Sequence, residues 1–279
     1  MSTLVRSPLP TDSRFVEAEL KYRNPATPPA GKAALTSSSA PNRYDPRRVR
    51  IYDARPYTAS LDLERNGFVL VQHATQVTDF FDDAQVRGMY RAEIEHLVAS
   101  LTGAERVLTF RWKWRHSGEK VDPRQEDPAQ GVHIDYDLET IRHFVRAIAG
   151  EADAARLLEM RLVLINVWRP LVPVECKPLA LCDAATMSTA DQHLAIIRDR
   201  SDEMPDVPMA GYNPSFNSAH HWYYFPHMVP GEALVFKLCD SDSARVQFTA
   251  HSTIDDPTSP PGAAPRQSFE IRTIAAIPR

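Results

Sequence analysis

A histidine and an aspartate lie two positions apart in the stretch GVHIDYD, residues 131–137. Successive side chains of a β-strand point to opposite faces, so His133 and Asp135 would share one face while Ile134 points to the other. One imidazole and one carboxylate on a common face are two of the three ligands of a facial metal triad, the arrangement that suits non-haem Fe(II). A half-buried strand that merely carries two polar residues has the same pattern. Only further ligand residues elsewhere in the sequence can distinguish a metal site from such a strand.

A third ligand must come from a distant strand. His220, His221 and His227 lie beside large aromatic residues in HHWYYFPHM, where a histidine is more often a hydrogen-bonded packing residue than a ligand. His251 ends the strand-like stretch RVQFTAH and precedes a polar pair with a chemistry of its own. His251 is therefore the better candidate for the third ligand.

The polar pair is Arg266 and Ser268, at the start of RQSFEIRT. The two-residue period of a strand would place both side chains on one face. A planar guanidinium binds a carboxylate through two parallel hydrogen bonds, and a hydroxyl beside it adds a third. This pair is suited to the distal carboxylate of 2-oxoglutarate.

Composition sets limits on the protein class. The chain has 279 residues, of which 43% are hydrophobic and 24% charged, and its net charge is −4. These values are typical of a globular protein and offer no basic surface for nucleic acid. The N-terminus lacks the apolar run of a secretory signal, and no apolar stretch is long enough to span a membrane. We expect a cytoplasmic protein that binds neither nucleic acid nor membrane, and a homo-oligomer remains open.

The elements that would position these residues are unevenly distributed. The first 60 residues combine a candidate strand at 13–23 with a Pro-, Ser- and Ala-rich loop or arm at 24–46, which could reach a neighbouring subunit. Residues 77–103 have apolar side chains at helical spacing, and 138–159 read as one or two helices broken near Gly150.

The second half consists mainly of short strands. They are predicted within MRLVLINVWRPL, KPLALCD, HHWYYFPHM, EALVFKLCD, RVQFTAH and RQSFEIRTIAAI, with one short helix at 190–199 between them. Helices followed by strands and turns favour a mostly β (α+β) fold with flanking helices around a barrel or sandwich.

The blocks just described, in this order, resemble the Fe(II)/2-oxoglutarate-dependent dioxygenases, and more narrowly their secondary-metabolite hydroxylase/desaturase family. The narrower likeness spans roughly residues 60–275 and is specific because six separated blocks fall in one order: NVWRPL, KPLALCD, HHWYYFPHM, EALVFKLCDSD, AHSTIDDP and RQSFEIR. The resemblance implies a double-stranded β-helix (jelly roll, cupin-like) core. We accordingly divide the chain into an N-terminal arm with strands packing on the core, 1–60, and a dioxygenase domain, 61–279.

The resemblance also implies roles for particular residues. His133, Asp135 and His251 would bind Fe(II), and Arg266 and Ser268 would hold 2-oxoglutarate. Asn166, in the NVWRP block, would be a further cosubstrate contact. O2 would be the second cosubstrate, and the outcome would be hydroxylation, desaturation or oxidative cyclisation of a small metabolite.

Four residues are candidate substrate contacts: Arg169, Tyr136, His220 and Tyr224. Each has an alternative. Arg169 could form a structural salt bridge with Asp183 or Glu175, Tyr136 could be exposed, and the two HHWYYFP residues could belong to a packed aromatic strand. The alternating basic row of RWKWRHS is expected to face solvent, or else to receive a substrate carboxylate at the opening of the core.

Two other functions compete with the oxygenase. A cupin-like accessory protein would need no catalytic centre, and fold alone does not establish function. A zinc hydrolase could use the same triad, but it would need a general base and would have no use for the Arg266–Ser268 pair. The presence of both the triad and the pair favours the oxygenase.

Overall fold

A computed structural model describes residues 14–27, 43–197 and 209–279. The strands are β1 (Phe15–Arg23), β2 (Tyr44–Asp53), β3 (Phe68–Gln72), β4 (Arg106–His116), β5 (Gln125–Glu126), β6 (Arg161–Pro170), β7 (Leu179–Cys182), β8 (Gln192–Ile197), β9 (Met209–Pro214), β10 (Trp222–Tyr224), β11 (Glu232–Asp240), β12 (His251–Thr253) and β13 (Gln267–Ile277). The helices are α1 (Asp83–Gln85), which continues through a π-helical turn (Val86–Tyr90) into α2 (Arg91–Thr102), then α3 (Leu138–Ala149) and α4 (Glu151–Leu158).

Two facing sheets form the body. The larger has the order β3-β11-β6-β13-β4-β5 and the smaller the order β1-β2-β10-β7-β12, while β8 and β9 form a separate hairpin-like pair. Neighbouring strands are antiparallel except β2 with β10 and β4 with β5. The fold is the predicted mostly β jelly roll with flanking helices.

Side-chain alternation separates three apolar layers. On β6, Leu164 and Trp168 point between the two sheets, whereas Val163, Ile165 and Val167 point outward to the helix α2. A third cluster covers the outer face of the smaller sheet and includes residues from β1, β7 and β10. The interior faces of the long strands β4, β6, β11 and β13 therefore contribute to the core between the two sheets.

Local signals account for the helix ends. The Asp82 carboxylate accepts hydrogen bonds from the backbone N–H groups of the first turn of α1, and Gly103 ends α2 in the left-handed conformation at φ 71°. Asp137 caps α3 in the same way, through the Thr140 N–H. Gly150, at φ 76°, separates α3 from α4, as the sequence predicts.

The short helix predicted at 190–199 is wrong. Its described part is a single 3₁₀ turn at Thr189–Asp191 followed by strand β8, and residues 198–199 lie outside the described chain. The apolar run there is too short for its periodicity to distinguish a helix from a strand, and pairing with β9 decides the outcome. Most of the predicted arm at 24–46 also lies outside the described residues, although 44–46 belong to β2.

Over residues 14–27, 43–197 and 209–279, no helix has the length and apolar character needed to cross a bilayer.

Candidate metal centre

The two candidate histidines lie opposite each other in the backbone. His133 donates its N–H to the His251 carbonyl at 3.2 Å, and His251 donates back to His133 at 3.0 Å. This reciprocal bridge joins the segment after β5 to the start of β12, 118 positions later. The imidazole rings consequently face each other with centroids 4.2 Å apart.

Asp135 completes a compact set of ligand atoms. One ligand atom each from His133, Asp135 and His251 lies within 4.8 Å of the other two, the spacing that a single ion requires. His133 Nε2 is 3.5 Å from Asp135 Oδ1. The structure thus brings together the three residues that the sequence selected.

Backbone carbonyls orient both imidazoles. The Gly131 carbonyl lies 2.7 Å from His133 Nδ1, and the Thr249 carbonyl lies 3.2 Å from His251 Nδ1. A carbonyl oxygen can only accept, so Nδ1 carries the proton and donates in each ring. Nε2 is left with its lone pair free on both histidines, as a metal ligand must be.

Charges around the triad favour its metal-binding protonation state. Burial, with His133 beside it, lowers the pKa of His251 to about 4, which keeps that imidazole neutral. Burial alone would raise the pKa of Asp135, but Arg272 and the two histidines hold it well below its usual range. The centre therefore presents the neutral His251 imidazole and an ionised Asp135 carboxylate, and two imidazoles with one carboxylate are a donor set suited to Fe(II).

A buried arginine contacts β12, the strand that begins at His251, and has no acidic partner among the residues that the structure describes. Arg266 is 2% exposed and donates through Nη1 to the Lys177 carbonyl at 2.6 Å and to Thr253 Oγ1 at 3.3 Å. In the described part of the chain, no carboxylate oxygen lies within 4.0 Å of its guanidinium, and burial lowers its pKa to about 9. A buried cation without a counter-ion is costly, so this site is suited to an anionic ligand.

Polar atoms without partners accompany Arg266. Among the described residues, Arg266 Nε, Ser268 Oγ and both side-chain polar atoms of Asn166 are buried without a hydrogen bond. Such atoms are rare in folded proteins unless a ligand, ion or water satisfies them. The residues that the sequence assigned to 2-oxoglutarate thus have free donors for a small dicarboxylate.

The structure places Arg169 apart from the other candidate site residue of β6. Strand periodicity places Arg169 on the face of β6 opposite Asn166, where it donates to the Tyr90 hydroxyl at 2.9 Å and to the His73 carbonyl at 3.1 Å. Its salt-bridge alternative with Asp183 or Glu175 is wrong, because the side chain packs against the helix layer.

His220 and Tyr224 also point away from the centre, onto the outer face of the smaller sheet. His220 Nδ1 is 3.1 Å from the Tyr22 hydroxyl and Nε2 is 3.2 Å from Asp191, so both ring nitrogens have partners. Tyr224 lies in the outer apolar cluster, whereas Tyr223, one position earlier, points between the sheets. Both residues therefore lie in packed surroundings on the outer face of the smaller sheet, Tyr224 within β10 and His220 just before it.

Tyr136 is buried, so its alternative as an exposed tyrosine is wrong. Its ring packs in the inner core against Phe110 and Phe144, and the guanidinium carbon of Arg272 lies 5.6 Å from its centroid. The alternating basic row of β4 likewise does not face solvent. Lys113 pairs with Glu126 at 2.9 Å, and Arg115 pairs with both Glu126 and Glu270.

Sequence reasoning missed three residues next to the centre. Arg272 donates to Asp135 Oδ2 through Nη2 at 3.1 Å and Nε at 3.3 Å, and Glu270 accepts from Arg272 and Arg115. The available signal was the period of two, which continues from Arg266 and Ser268 to these positions. Gly211 on β9 touches the backbone beside Asp135, and no sequence pattern marks it.

Comparisons with known proteins agree with this geometry. A family model described as an oxidoreductase/YMDC permease-like domain matches residues 13–276, which extends the likeness beyond the predicted start near residue 60. The Fe(II)/2-oxoglutarate-dependent dioxygenase nvfI of Aspergillus novofumigatus is 33% identical over 265 residues, with 92% of this chain and 90% of that protein covered. The hydroxylase/desaturase efuI of Hormonema carpetanum is 30% identical, with 86% of each covered.

Solved structures show the same relationship in three dimensions. A structure of the iron and alpha-ketoglutarate-dependent endoperoxidase NvfI matches with a TM-score of 0.81 and 30% identity, covering 95% of this chain and 99% of that one. A second structure of NvfI, in a different conformation, matches with a TM-score of 0.83, 28% identity and coverage of 97% and 100%.

Proposed function

Because the chain belongs to the Fe(II)/2-oxoglutarate-dependent dioxygenases, we propose that it is an oxygenase that oxidises an unactivated C–H bond of a small secondary metabolite. Its cosubstrates are 2-oxoglutarate and O2. The outcome is hydroxylation, desaturation or oxidative cyclisation, which depends on where the substrate carbon lies. The observation that carries the proposal is the convergence of His133, Asp135 and His251, together with the buried Arg266, which contacts β12 and has no acidic partner within the described residues.

We assign the ligands as follows. His133 and His251 would bind iron through Nε2, and Asp135 through Oδ1, because Oδ2 is already held by Arg272. Arg266 and Ser268 would bind the distal carboxylate of 2-oxoglutarate, and Asn166 would contact the same molecule. The unsatisfied buried atoms of these three residues support the assignment.

When bound, Fe(II) and 2-oxoglutarate would activate O2, which is the oxidant, and the keto acid would be oxidised to succinate with loss of CO2. The residues of the chain would bind the metal and 2-oxoglutarate, orient the metal ligands and shield the site from water. The carbonyls of Gly131 and Thr249 fix the tautomers of the two ligating histidines. Phe236, whose ring centroid is 4.9 Å from that of His251, and Trp168, 5.5 Å from the Arg266 guanidinium carbon, exclude water from the interior.

The two competing functions have less support. A zinc hydrolase needs a general base near the metal. The carboxylate beside Asp135 is Glu270. Burial would raise the pKa of Glu270, but Arg115 and Arg272 lower it to about 2, too low for an effective base. An accessory protein would not require unsatisfied buried donors beside an intact triad, and the relatives named above are oxygenases.

Anaerobic titration tests the function directly. Apo-protein mixed with Fe(II) and then 2-oxoglutarate should develop the weak visible charge-transfer band of an iron-chelated keto acid. Admission of O2 should then convert 2-oxoglutarate to succinate. Absence of the band, together with zinc-dependent hydrolysis of an ester or amide panel, would refute the oxygenase.

Three further expectations remain proposals. We propose that residues 61–279 form the catalytic domain, with the strands of 1–60 packed on it. A cytoplasmic location and a homo-oligomer also stay predictions. Size-exclusion chromatography with light scattering measures the oligomeric state.

A further inference from the structure

Thr249, two positions before the candidate ligand His251, is held at three points. The residue is fully buried, its N–H donates to the Lys237 carbonyl at 2.9 Å, and its hydroxyl donates to the Gly67 carbonyl at 2.9 Å. Its own carbonyl lies 3.2 Å from His251 Nδ1. The acceptor that orients the His251 imidazole therefore belongs to a residue whose other polar groups are bonded to distant parts of the chain.

The Gly67 carbonyl is the common acceptor of this arrangement. It accepts the Lys237 N–H at 2.8 Å as well as the Thr249 hydroxyl at 2.9 Å, which uses both lone pairs of the oxygen. The close approach requires a glycine, because a Cβ at position 67 would lie 2.4 Å from Thr249 Oγ1 and the backbone has a φ of 84°. The turn before β3, the strand β11 and the segment before β12 thus meet at one point.

Lys237 holds the same segment a second time through its side chain. The ammonium is buried and donates to the Val246 carbonyl at 3.3 Å, while Asp240 Oδ2 lies 2.8 Å and Glu64 Oε2 3.3 Å away. The backbone carbonyl of Lys237 accepts from Thr249, three positions after Val246. Residues 246–249 are therefore attached to β11 at both ends, and the chain enters β12 from a fixed position.

We propose that Thr249 is a positioning residue for His251: its hydroxyl, bonded to Gly67, holds the Thr249 carbonyl where it accepts Nδ1–H, so that Nε2 faces the other two ligands. The inference rests on the proposed function and deepens it. Groups that bond to a metal-binding histidine fix its tautomer and ring orientation. At His133 the same part is taken by the Gly131 carbonyl, from a residue without a side chain, so this hydroxyl contact is particular to the His251 side of the centre.

Thr249→Val removes the hydroxyl and keeps the shape of the side chain. A methyl carbon needs about 3.3 Å from a carbonyl oxygen, so it cannot take the place of the hydroxyl and the segment must withdraw from Gly67. We expect Fe(II) affinity to fall about tenfold or more, the loss typical for partners of a metal ligand. Thr249→Ser keeps the hydroxyl and should retain most of the wild-type affinity.

Thr273→Val is the matched control. The buried Thr273 hydroxyl also donates to a backbone carbonyl, that of Ile165 at 3.2 Å, but it joins β13 to β6, and neither strand contains a residue of the triad. Fe(II) affinity is measured by competition with a chromophoric chelator, and urea unfolding of the apo-protein measures stability. Nitrogen NMR of apo-protein labelled in its histidine imidazoles reports the tautomer of each ring, with the His251 signal assigned from its absence in His251→Ala.

The wild type should show the Nδ1–H tautomer at His251, and Thr249→Val should show a mixture of tautomers there. A hydroxyl with a merely structural role would lower the free energy of unfolding and leave that tautomer unchanged. The proposal is overturned if Thr249→Val binds Fe(II) as tightly as Thr273→Val, or if its His251 tautomer is that of the wild type.

Thr249→Ala keeps the test decisive if Thr249→Val does not fold, because it removes the same hydroxyl without placing a methyl against the Gly67 carbonyl. Wild-type Fe(II) affinity in Thr249→Ala would overturn the proposal equally. If the wild-type protein forms no band with Fe(II) and 2-oxoglutarate, the proposed function itself fails. That result is distinct, since the tautomer of His251 in the apo-protein still tests the part played by Thr249.

Discussion

Gly211 is expected to control the position of a metal ligand, although it has no side chain. Strand β9 lies directly on the segment that contains Asp135: Ile134 and Tyr212 exchange backbone hydrogen bonds of 2.8 and 2.9 Å. A Cβ at Gly211 would lie 2.5 Å from the Asp135 carbonyl oxygen, 3.0 Å from its carbonyl carbon, and even closer to the Ile134 oxygen. All three contacts are backbone, so no side-chain rotation can relieve them.

The Gly211→Ala variant must therefore move the backbone. An ordinary carbon–oxygen contact is about 3.3 Å, so the two segments must separate by roughly 0.8 Å. Metal–ligand distances tolerate only about 0.2 Å, so a shift of this size in Asp135 is incompatible with the full ligand set. We expect Fe(II) affinity to fall about 10- to 100-fold, the loss typical when a ligand is misplaced. Overpacking should also lower the free energy of unfolding by about 1–3 kcal/mol.

The assay is Fe(II) titration against a chromophoric chelator, with the keto-acid band as a second readout and urea unfolding of the apo-protein as a stability measure. Gly231→Ala is the matched control, because a Cβ there meets no atom within 4 Å. An Fe(II) affinity of Gly211→Ala equal to that of Gly231→Ala would refute the reasoning. Lost iron affinity in a variant with wild-type stability would support it most clearly.

Three other predictions follow from the described contacts. His251→Ala should abolish iron retention and turnover, because it removes one residue of the triad. His227→Ala, at an exposed turn, should retain both. Iron content per chain after reconstitution measures iron retention. Arg266→Ala should raise the 2-oxoglutarate concentration needed for turnover by one or more orders of magnitude, because loss of a charge-assisted contact costs about 2–4 kcal/mol. Cosubstrate consumption measures this requirement. An unchanged requirement would show that Arg266 does not bind 2-oxoglutarate. Asp240→Asn should lower the free energy of unfolding by about 3–5 kcal/mol, since it leaves the buried Lys237 ammonium, now 2.8 Å from Asp240 Oδ2, without its closest partner. Burial opposes ionisation of Asp240, but its ion pairs lower the pKa of its carboxyl group below the ordinary range. The stability that this carboxylate contributes to the wild type should therefore be lost as pH falls below the ordinary carboxyl range. Urea unfolding at several pH values should show a smaller loss of unfolding free energy at acid pH for Asp240→Asn than for the wild type.

Much of the fold could be predicted from local patterns. The helices α3 and α4 and the break between them follow from apolar spacing and Gly150, and β4, β6, β11 and β13 follow from strand-like runs. Such patterns are local because helix and strand periods depend on the nearest few residues. The helix predicted at 190–199 is wrong for two reasons. The stretch is short, and β9, the strand that pairs with it, comes only after residues 198–208.

Periodicity indicates which residues share a face, but not which face is inside. His133 and Asp135 were correctly placed together by their spacing, as were Arg266 and Ser268. Arg169 was placed in the site although its face of β6 points to the helices. Burial on both sides of a central strand removes the polar and apolar contrast that would distinguish the two directions.

The candidate ligand types, their order along the chain and the pairs that share a face follow from the amino-acid sequence, because they depend only on residue chemistry and the two-residue strand period. The tertiary structure alone decided that His251 meets His133 through reciprocal backbone bonds, that Arg272 holds Asp135, and that Gly211 lies against the same segment. These contacts join positions 76 to 137 residues apart. Their geometry depends on how the two sheets curl together, which no local spacing encodes.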